Sequence, residues 1–177
     1  MSKYRFFEHS IRRKHVDLLR QTQAFFQEFK GKVDSQSAFH QEIVRCCELV
    51  HSEPGEFRNA SRNDFIMKMK PEFQDFTGVL SLSAAATLVD MVTTVALYSA
   101  DPHRTMHVTI DLGTQAVKPI AADEVYIKTY VDTVNEAIAY SRAEIFGPVA
   151  GCEDWEMMYL GFHTKKVLNK RVDMRAQ

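Results

Sequence analysis

The sequence has few of the residues that build disulfide frameworks, phosphate loops or metal sites. It contains three cysteines, and Cys46 and Cys47 are adjacent, so neither they nor Cys152 form a metal-type spacing. An odd number of cysteines in this pattern indicates a reducing compartment and argues against a disulfide framework. The seven glycines form no G-x-G-x-x-G motif, so a glycine-rich phosphate loop is not expected.

The chain also lacks a charge excess and an uninterrupted membrane-length apolar run. A formal net charge of −1 nominates neither nucleic acid nor an anionic membrane as partner. The basic residues 1–20 contain no apolar signal-peptide core, and we expect a cytoplasmic protein, with mitochondria as the alternative. Residues 78–100 have the length of a membrane span, but Asp90 lies at their centre, where it costs roughly 2.5–3.5 kcal/mol on insertion scales. We therefore predict a buried helix and no membrane span.

Hydrophobic periodicity predicts two helices, a strand, a long apolar helix and four further strands, in that order. In the first helix, Phe25, Phe26 and Phe29 form an apolar packing face. The predicted elements are helices at 15–29, 37–50 and 81–99, a strand through Phe65, Met67 and Met69, and strands at 106–114, 124–134, 136–147 and 155–167.

This order of elements predicts an α+β fold in which an antiparallel sheet wraps around the long apolar helix. A helix that is apolar nearly all round needs cover on most of its surface, and a sheet supplies it. A parallel doubly wound fold is not expected, because no helices separate the last four strands. The predicted division is an N-terminal helical extension at 1–55 and a sheet-and-helix domain at 56–177.

Four segments within Asp64 to Asn169 carry a family resemblance, namely GVLSLSAAATLVDMVTTVAL, VTIDL, AVKPIAADEVYIKTYV and GFHTKK. They resemble the hotdog-fold acyl-CoA thioesterases, specifically the phenylacetyl-CoA-thioesterase-like class that includes the small animal acyl-CoA thioesterases. The resemblance implies a homodimer or homotetramer with its active site between subunits. It also implies an acyl-CoA substrate in fatty acid metabolism, with coenzyme A as part of that substrate and no other cofactor.

By this resemblance Asp90 is the catalytic carboxylate, acting as general base or nucleophile on the thioester. Thr87, Thr93 or Thr94 could hydrogen-bond its ionised form. The family's His-Gly-Gly at the helix start is replaced by Ser81-Leu82-Ser83. The amide of Leu82 or Ser83 could still polarise the thioester carbonyl, while the simplest role of Ser81 is to cap the helix.

Further expected site residues come from flanking segments. Asp75 occurs where some members have Asn, and Lys118 where they have Ser before Pro. Lys118 could pair with Asp75 or Asp90, bind phosphate, or be a solvated loop lysine. The resemblance implies coenzyme phosphate contacts for basic residues at the end of the last strand, which here are His163, Lys165 and Lys166.

Two hypotheses follow from the sequence. The first is an acyl-CoA thioesterase in which Asp90 activates water. The second is a catalytically inactive hotdog protein that binds acyl-CoA or another protein, favoured by the altered residues around the helix start. A metal site is not expected, because His103 and His107 straddle a helix end and a strand start and no Glu follows His103.

Overall fold

The computed structural model describes residues 18–31, 37–54, 61–101, 105–135, 137–149, 151 and 154–171. Within them lie three α-helices, one short 3-10 turn at Pro71–Phe73 and six strands. The helices are α1 at 18–31, α2 at Ala38–Cys46 and α3 at Leu82–Ala100, and the strands are β1 Cys47–Pro54, β2 Ser61–Lys68, β3 Thr105–Ala116, β4 Glu124–Val134, β5 Ile138–Pro148 and β6 Trp155–Arg171. The predicted features at His15, Gly55, His103 and Cys152 lie outside the described residues.

The six strands form one sheet in the order β1-β2-β4-β5-β6-β3, and every neighbouring pair is antiparallel. This confirms the predicted α+β fold. Along β4, buried Val125, Ile127, Thr129 and Val131 alternate with more exposed neighbours and turn toward α3. The sheet therefore has one face that covers the helix and one face that is open in the single chain.

The second predicted helix is too long, and the strand that follows it was missed. The helix ends at Cys46 rather than near Val50, and Cys47–Pro54 form β1. Cys47 and Leu49 are buried as alternate residues of β1, which pairs with β2. This long-range pairing overrides the local helical pattern. The predicted division at residue 55 thus places β1 in the extension, although β1 belongs to the sheet.

Helix α3 occupies the centre of the fold. Ser81 caps its start, because the Ser81 hydroxyl accepts a 3.3 Å hydrogen bond from the amide of Ala84, as predicted. By length and composition α3 is the one described helix apolar enough to cross a membrane. Of its most apolar 18-residue stretch, 56% is buried inside the fold. That burial fits a core helix, in agreement with the expectation of no membrane span.

A glycine sets the distance between α3 and the sheet. A Cβ placed on Gly161 of β6 would lie only 2.5 Å from a methyl group of Val89. Since real Cβ atoms do not approach so closely, the helix backbone can reach this point of the sheet only over a glycine.

The N-terminal helix α1 packs onto the same core. Phe25 lies 4.8 Å from Tyr98 of α3, and Phe26 meets Phe65 of β2 edge-on at 5.6 Å, measured between ring centroids. Beside these rings Thr22 contacts Ser52, which donates a 2.7 Å hydrogen bond to buried Asn63. The phenylalanines of α1 are thus a packing face, as the sequence indicated.

Candidate active site

Asp90 lies near the middle of α3, and it is paired. Its carboxylate oxygen Oδ1 is 3.6 Å from Lys165 Nζ and 3.6 Å from His163 Nε2, both from β6. The Asp90 side chain keeps 39% of its surface exposed, whereas that of Lys165 keeps 6% and that of His163 none. A charge in this apolar helix is tolerated because it reaches solvent on one side and an ammonium group on the other.

The surrounding hydroxyls fix the imidazole of His163. Thr93 donates its proton to the carbonyl of Val89 and lies 2.6 Å from His163 Nδ1. The hydroxyl of Thr109 on β3 lies 2.9 Å from Nε2, so each ring nitrogen has a hydroxyl partner. His163 is therefore held on both sides as a neutral ring.

Burial dominates the electrostatics of the two β6 residues. It lowers the pKa of His163 to about 4, an effect that the nearby Lys165 ammonium adds to and that Asp90 and Asp111 oppose. Burial likewise lowers the pKa of Lys165, although the attraction of Asp90 raises it in part. His163 is consequently uncharged at neutral pH, and the cation beside Asp90 is Lys165.

Contrary to the expectation, none of Thr87, Thr93 and Thr94 donates a hydrogen bond to the Asp90 carboxylate. Thr87 donates to the carbonyl of Ser83 at 2.9 Å, and Thr94 donates to the backbone carbonyl of Asp90 at 2.6 Å. Thr93 is committed to Val89 and His163. The physical reason is local, since a helical threonine hydroxyl reaches the carbonyl four residues earlier.

The start of α3 presents the three residues that replace His-Gly-Gly. Ser81 is the cap, and its hydroxyl lies 3.2 Å from that of Ser83. Leu82 and Ser83 are exposed. Tyr159 of β6 donates a hydrogen bond to the carbonyl of Leu80 and so ties the sheet to this end of the helix.

Asp75 organises the turn that leads into α3. Its Oδ1 accepts hydrogen bonds from the amide of Thr77 at 2.8 Å, the hydroxyl of Thr77 at 2.6 Å and the amide of Val79 at 3.3 Å. The bonds from Thr77 are the main reason that the pKa of Asp75 is lowered. Among the described residues no hydrogen bond or ion pair joins Asp75 to Asp90.

Lys118 pairs with neither Asp75 nor Asp90. It forms an exposed ion pair with Glu156 at the beginning of β6, as a solvated loop lysine would. Lys166 is exposed beside the buried Lys165, because successive residues of a strand face opposite sides. Phosphate contacts by His163, Lys165, Lys166 or Lys118 stay predictions.

The other reactive groups of the chain are its thiols and its potential metal ligands. Cys46 and Cys47 are free thiols, and burial raises the pKa of both. Within the part of the chain that the structure describes, no three His, Cys, Asp or Glu side chains are arranged to hold a metal ion.

The sequence pointed to Asp90 but not to its environment. Thr109 had no motif to mark it, because its contact with His163 depends on the register of β3 against β6 and on an irregularity between Thr109 and Asp111. Lys165 and His163 were expected near phosphates. Gly161, His163 and Lys165 are alternate residues of β6 and therefore share one face of the strand. Because Gly161 contacts Val89 of α3, His163 and Lys165 also face the helix.

Comparison with known proteins identifies the fold. No protein-family model matches the sequence, and no curated protein matches it. Among solved structures, thioesterase superfamily member 2 from zebrafish aligns with a TM-score of 0.65 and 20% identity, over 80% of this chain and 94% of that chain. The mouse protein of the same name aligns at 0.58 and 19%, over 86% and 96%.

A third structure, a hypothetical thioesterase from Streptococcus pneumoniae with coenzyme A, aligns with a TM-score of 0.58 and 14% identity, over 76% of this chain and 97% of that chain. Each of these alignments spans at least three quarters of the chain. The chain therefore has the hotdog fold, the fold of these thioesterase-superfamily proteins.

Proposed function

We propose that this protein is an acyl-CoA thioesterase and that Asp90 is its catalytic carboxylate. The observation that carries the proposal is the position of Asp90 at mid-helix, with its carboxylate partly exposed and paired with buried Lys165. Ionisable groups held this way in an apolar setting are concentrated at functional sites. Fold similarity to thioesterases raises the expectation of this activity without fixing it.

In the proposed reaction Asp90 acts as a general base. The carboxylate takes a proton from a water molecule while the water oxygen attacks the thioester carbonyl carbon. The tetrahedral intermediate then collapses, the carbon–sulfur bond breaks, and the sulfur leaves as the coenzyme A thiolate, which takes up the proton held by Asp90 and so restores the carboxylate. The products are a free carboxylic acid and coenzyme A. Direct attack by the carboxylate on the same carbon is the nucleophilic variant of this step.

The developing oxyanion would be stabilised by amide groups at the start of α3 in a second protomer. The first amides of a helix have no partner within the helix, and their dipoles favour negative charge. Ser81 uses its side chain on the amide of Ala84, which leaves those of Leu82 and Ser83 for this role. Both are exposed in the single chain.

This arrangement requires a homodimer, which we propose forms along β3. That strand pairs with β6 on one side and is an edge of the sheet on the other. Met106, Val108 and Ile110 are apolar and exposed along it. An exposed apolar edge strand is a template for pairing with another chain. Dimers of this kind could pair again into a tetramer.

The proposed substrate carries coenzyme A, whose phosphates need cationic partners. The streptococcal hotdog structure contains coenzyme A, which supports a coenzyme A type of ligand for this chain as well. The exposed ammonium of Lys166 at the end of β6 is suited to a phosphate, because a lysine can donate three charge-assisted hydrogen bonds.

A catalytically inactive binding protein is the second candidate. Leu82 at the helix start favours it, because a side chain stands where glycine would give a thioester close access to the amides. The engagement of Asp75 in its own turn and of Lys118 with Glu156 points the same way. In this case acyl-CoA binds and is not hydrolysed.

The test is release of free coenzyme A from short, long and aromatic acyl-CoAs by the wild type and D90N. We expect wild-type turnover and a loss of at least about 100-fold in kcat for D90N, because general base catalysis contributes that much or more. D132N is the matched control, since Asp132 is an exposed strand aspartate paired only with Arg142 among the described residues.

Equal activity in D90N and D132N would refute the role of Asp90. An absence of turnover with the whole panel, together with binding of a non-hydrolysable acyl-CoA thioether by calorimetry, would instead establish the binding protein. Thermal melting of each variant checks that the fold is intact.

A further inference from the structure

The two contacts to the Asp90 carboxylate fall on the same oxygen atom. Lys165 Nζ and His163 Nε2 both approach Oδ1. Within the described part of the chain no hydrogen bond or ion pair reaches Oδ2. A carboxylate that is held through one oxygen presents its other oxygen in a fixed direction, which is what positioning a reactive atom requires. The geometry thus distinguishes an anchored oxygen from a free one.

Of the two neighbours, Lys165 is the one that can anchor Oδ1. His163 Nε2 lies 2.9 Å from the hydroxyl of Thr109 and 3.6 Å from Oδ1, so its hydrogen bond is with Thr109. Lys165 carries three N–H donors and no acceptor. It follows that Lys165 anchors the carboxylate, while His163 limits the space on its other side.

Lys165 is placed for an internal role. It pairs in register with Thr109 of β3 and Ala139 of β5, so strands flank it on both sides. Its side chain is almost wholly buried, whereas the neighbouring Lys166 is exposed. A buried ammonium group requires a charged or strongly polar partner inside the protein, and among the described residues that partner is Asp90.

We propose that Lys165 is a positioning residue of the active site, which holds Oδ1 of Asp90 so that Oδ2 faces the attacking water and takes its proton. The catalytic meaning of this inference rests on the proposed thioesterase function. It assigns Lys165 to the carboxylate and leaves coenzyme phosphates to other cations.

Other titratable groups also act on this pair. The Asp90 charge opposes the lowering by burial of the pKa of His40 on α2, and the Lys165 charge adds to the lowering of the pKa of His107 on β3. Asp111 on β3 acts on His163 of β6. The effect of substituting Lys165 should therefore be measured as the change in kcat and KM at one fixed pH near neutrality.

The kinetic test compares K165M and K165R with K68M, a control at the exposed end of β2. We expect K165M to lower kcat roughly 100-fold with little change in KM, as a misplaced catalytic group does. K165R keeps a cation and should retain more of kcat than K165M. A rise in KM with kcat preserved would overturn the proposal, because that pattern belongs to a residue that binds substrate uniformly.

A second measurement does not depend on activity. The pKa of Lys165 is followed by NMR in wild type and D90N labelled with 13C-lysine. We expect the pKa of Lys165 to be lower in D90N, because the Asp90 charge raises it in the native protein. An unchanged Lys165 titration would overturn the proposal, whether or not the enzyme turns over.

The two measurements separate the two hypotheses. A wild type that hydrolyses no thioester refutes the proposed function. A pKa of Lys165 that still falls in D90N then supports the anchoring of Asp90 by Lys165 on its own.

Discussion

At the scale of single residues, the candidate site consists of an ion pair beside a neutral imidazole. Asp90 reaches solvent, Lys165 lies behind it, and His163 stays neutral between hydroxyls of Thr93 and Thr109. Removing one partner of such a pair leaves the other uncompensated, which costs more than the pair itself contributes. We therefore expect substitutions that keep the charge of each partner to disturb the fold least.

The neutrality of His163 predicts an acid-sensitive fold. The pKa of His163 is about 4 in the native state and 6.5 in the reference state, so between these values the unfolded chain binds more protons. The free energy of unfolding should therefore fall as the pH is lowered from 6.5 toward 4, by about 1.4 kcal/mol at most for each unit of pKa difference.

Urea denaturation at several pH values checks this prediction in wild type and H163Q. The slope of stability against pH should be smaller in H163Q, with the remainder due to groups such as His40 and His107, whose pKa values burial also lowers. Identical slopes in the two proteins would show that the pKa of His163 is not lowered in the native state.

At the scale of elements, the contact of α3 with β6 has no spare room. Gly161 is the point at which Val89 touches the sheet, with methyl groups 2.5 and 2.6 Å from where a Cβ would stand. Because the contact includes the branched part of Val89 and not a flexible chain end, it cannot be relieved by rotation alone.

We expect G161A to destabilise the protein by about 1–3 kcal/mol through overpacking. Adding V89A should recover part of that loss, so the two changes are coupled in a double-mutant cycle. G113A is the control, because Gly113 of neighbouring β3 has no atom within 4 Å of an added Cβ. Chemical denaturation measures the free energy of unfolding of each variant. Equal destabilisation by G161A and G113A would contradict the assigned contact.

The helices and strands also show which elements can be predicted from local sequence patterns. The long helix and β4 were predicted almost to the residue, because apolar runs and strict alternation are local signals. β1 was missed, because the apolar spacing through Cys47 fits a helix and only pairing with β2 makes it a strand. At the site, the motif predicted Asp90, whereas its contact with Lys165 and the contact of His163 with Thr109 depend on strand register, which no local pattern contains.

At the scale of the whole molecule, one edge of the sheet is apolar and open. Met106, Val108 and Ile110 lie along β3, and Phe76 and Leu82 are exposed near the start of α3. Phe73, by contrast, is buried against Phe39. Exposed apolar groups that cluster beside a proposed site mark an interface more often than chance surface exposure does.

I110K should convert the proposed dimer to a monomer, because a charge on the edge of a sheet opposes pairing with a second chain. Y140K is the control, since Tyr140 is also exposed but lies on β5 in the interior of the sheet. Light scattering coupled to size exclusion gives the mass of each. A monomeric wild type, or a dimeric I110K, would contradict pairing through β3.

The contacts of α1 bear on how the protein opens. A first helix usually frays before the rest of a domain, and its amide protons then exchange early. Here the departure of α1 would uncover Phe65 beneath Phe26 and admit water to Ser52 and Asn63. Because this uncovers core groups, we expect α1 to open together with the sheet, so that amide exchange in α1 reports global unfolding rather than local motion.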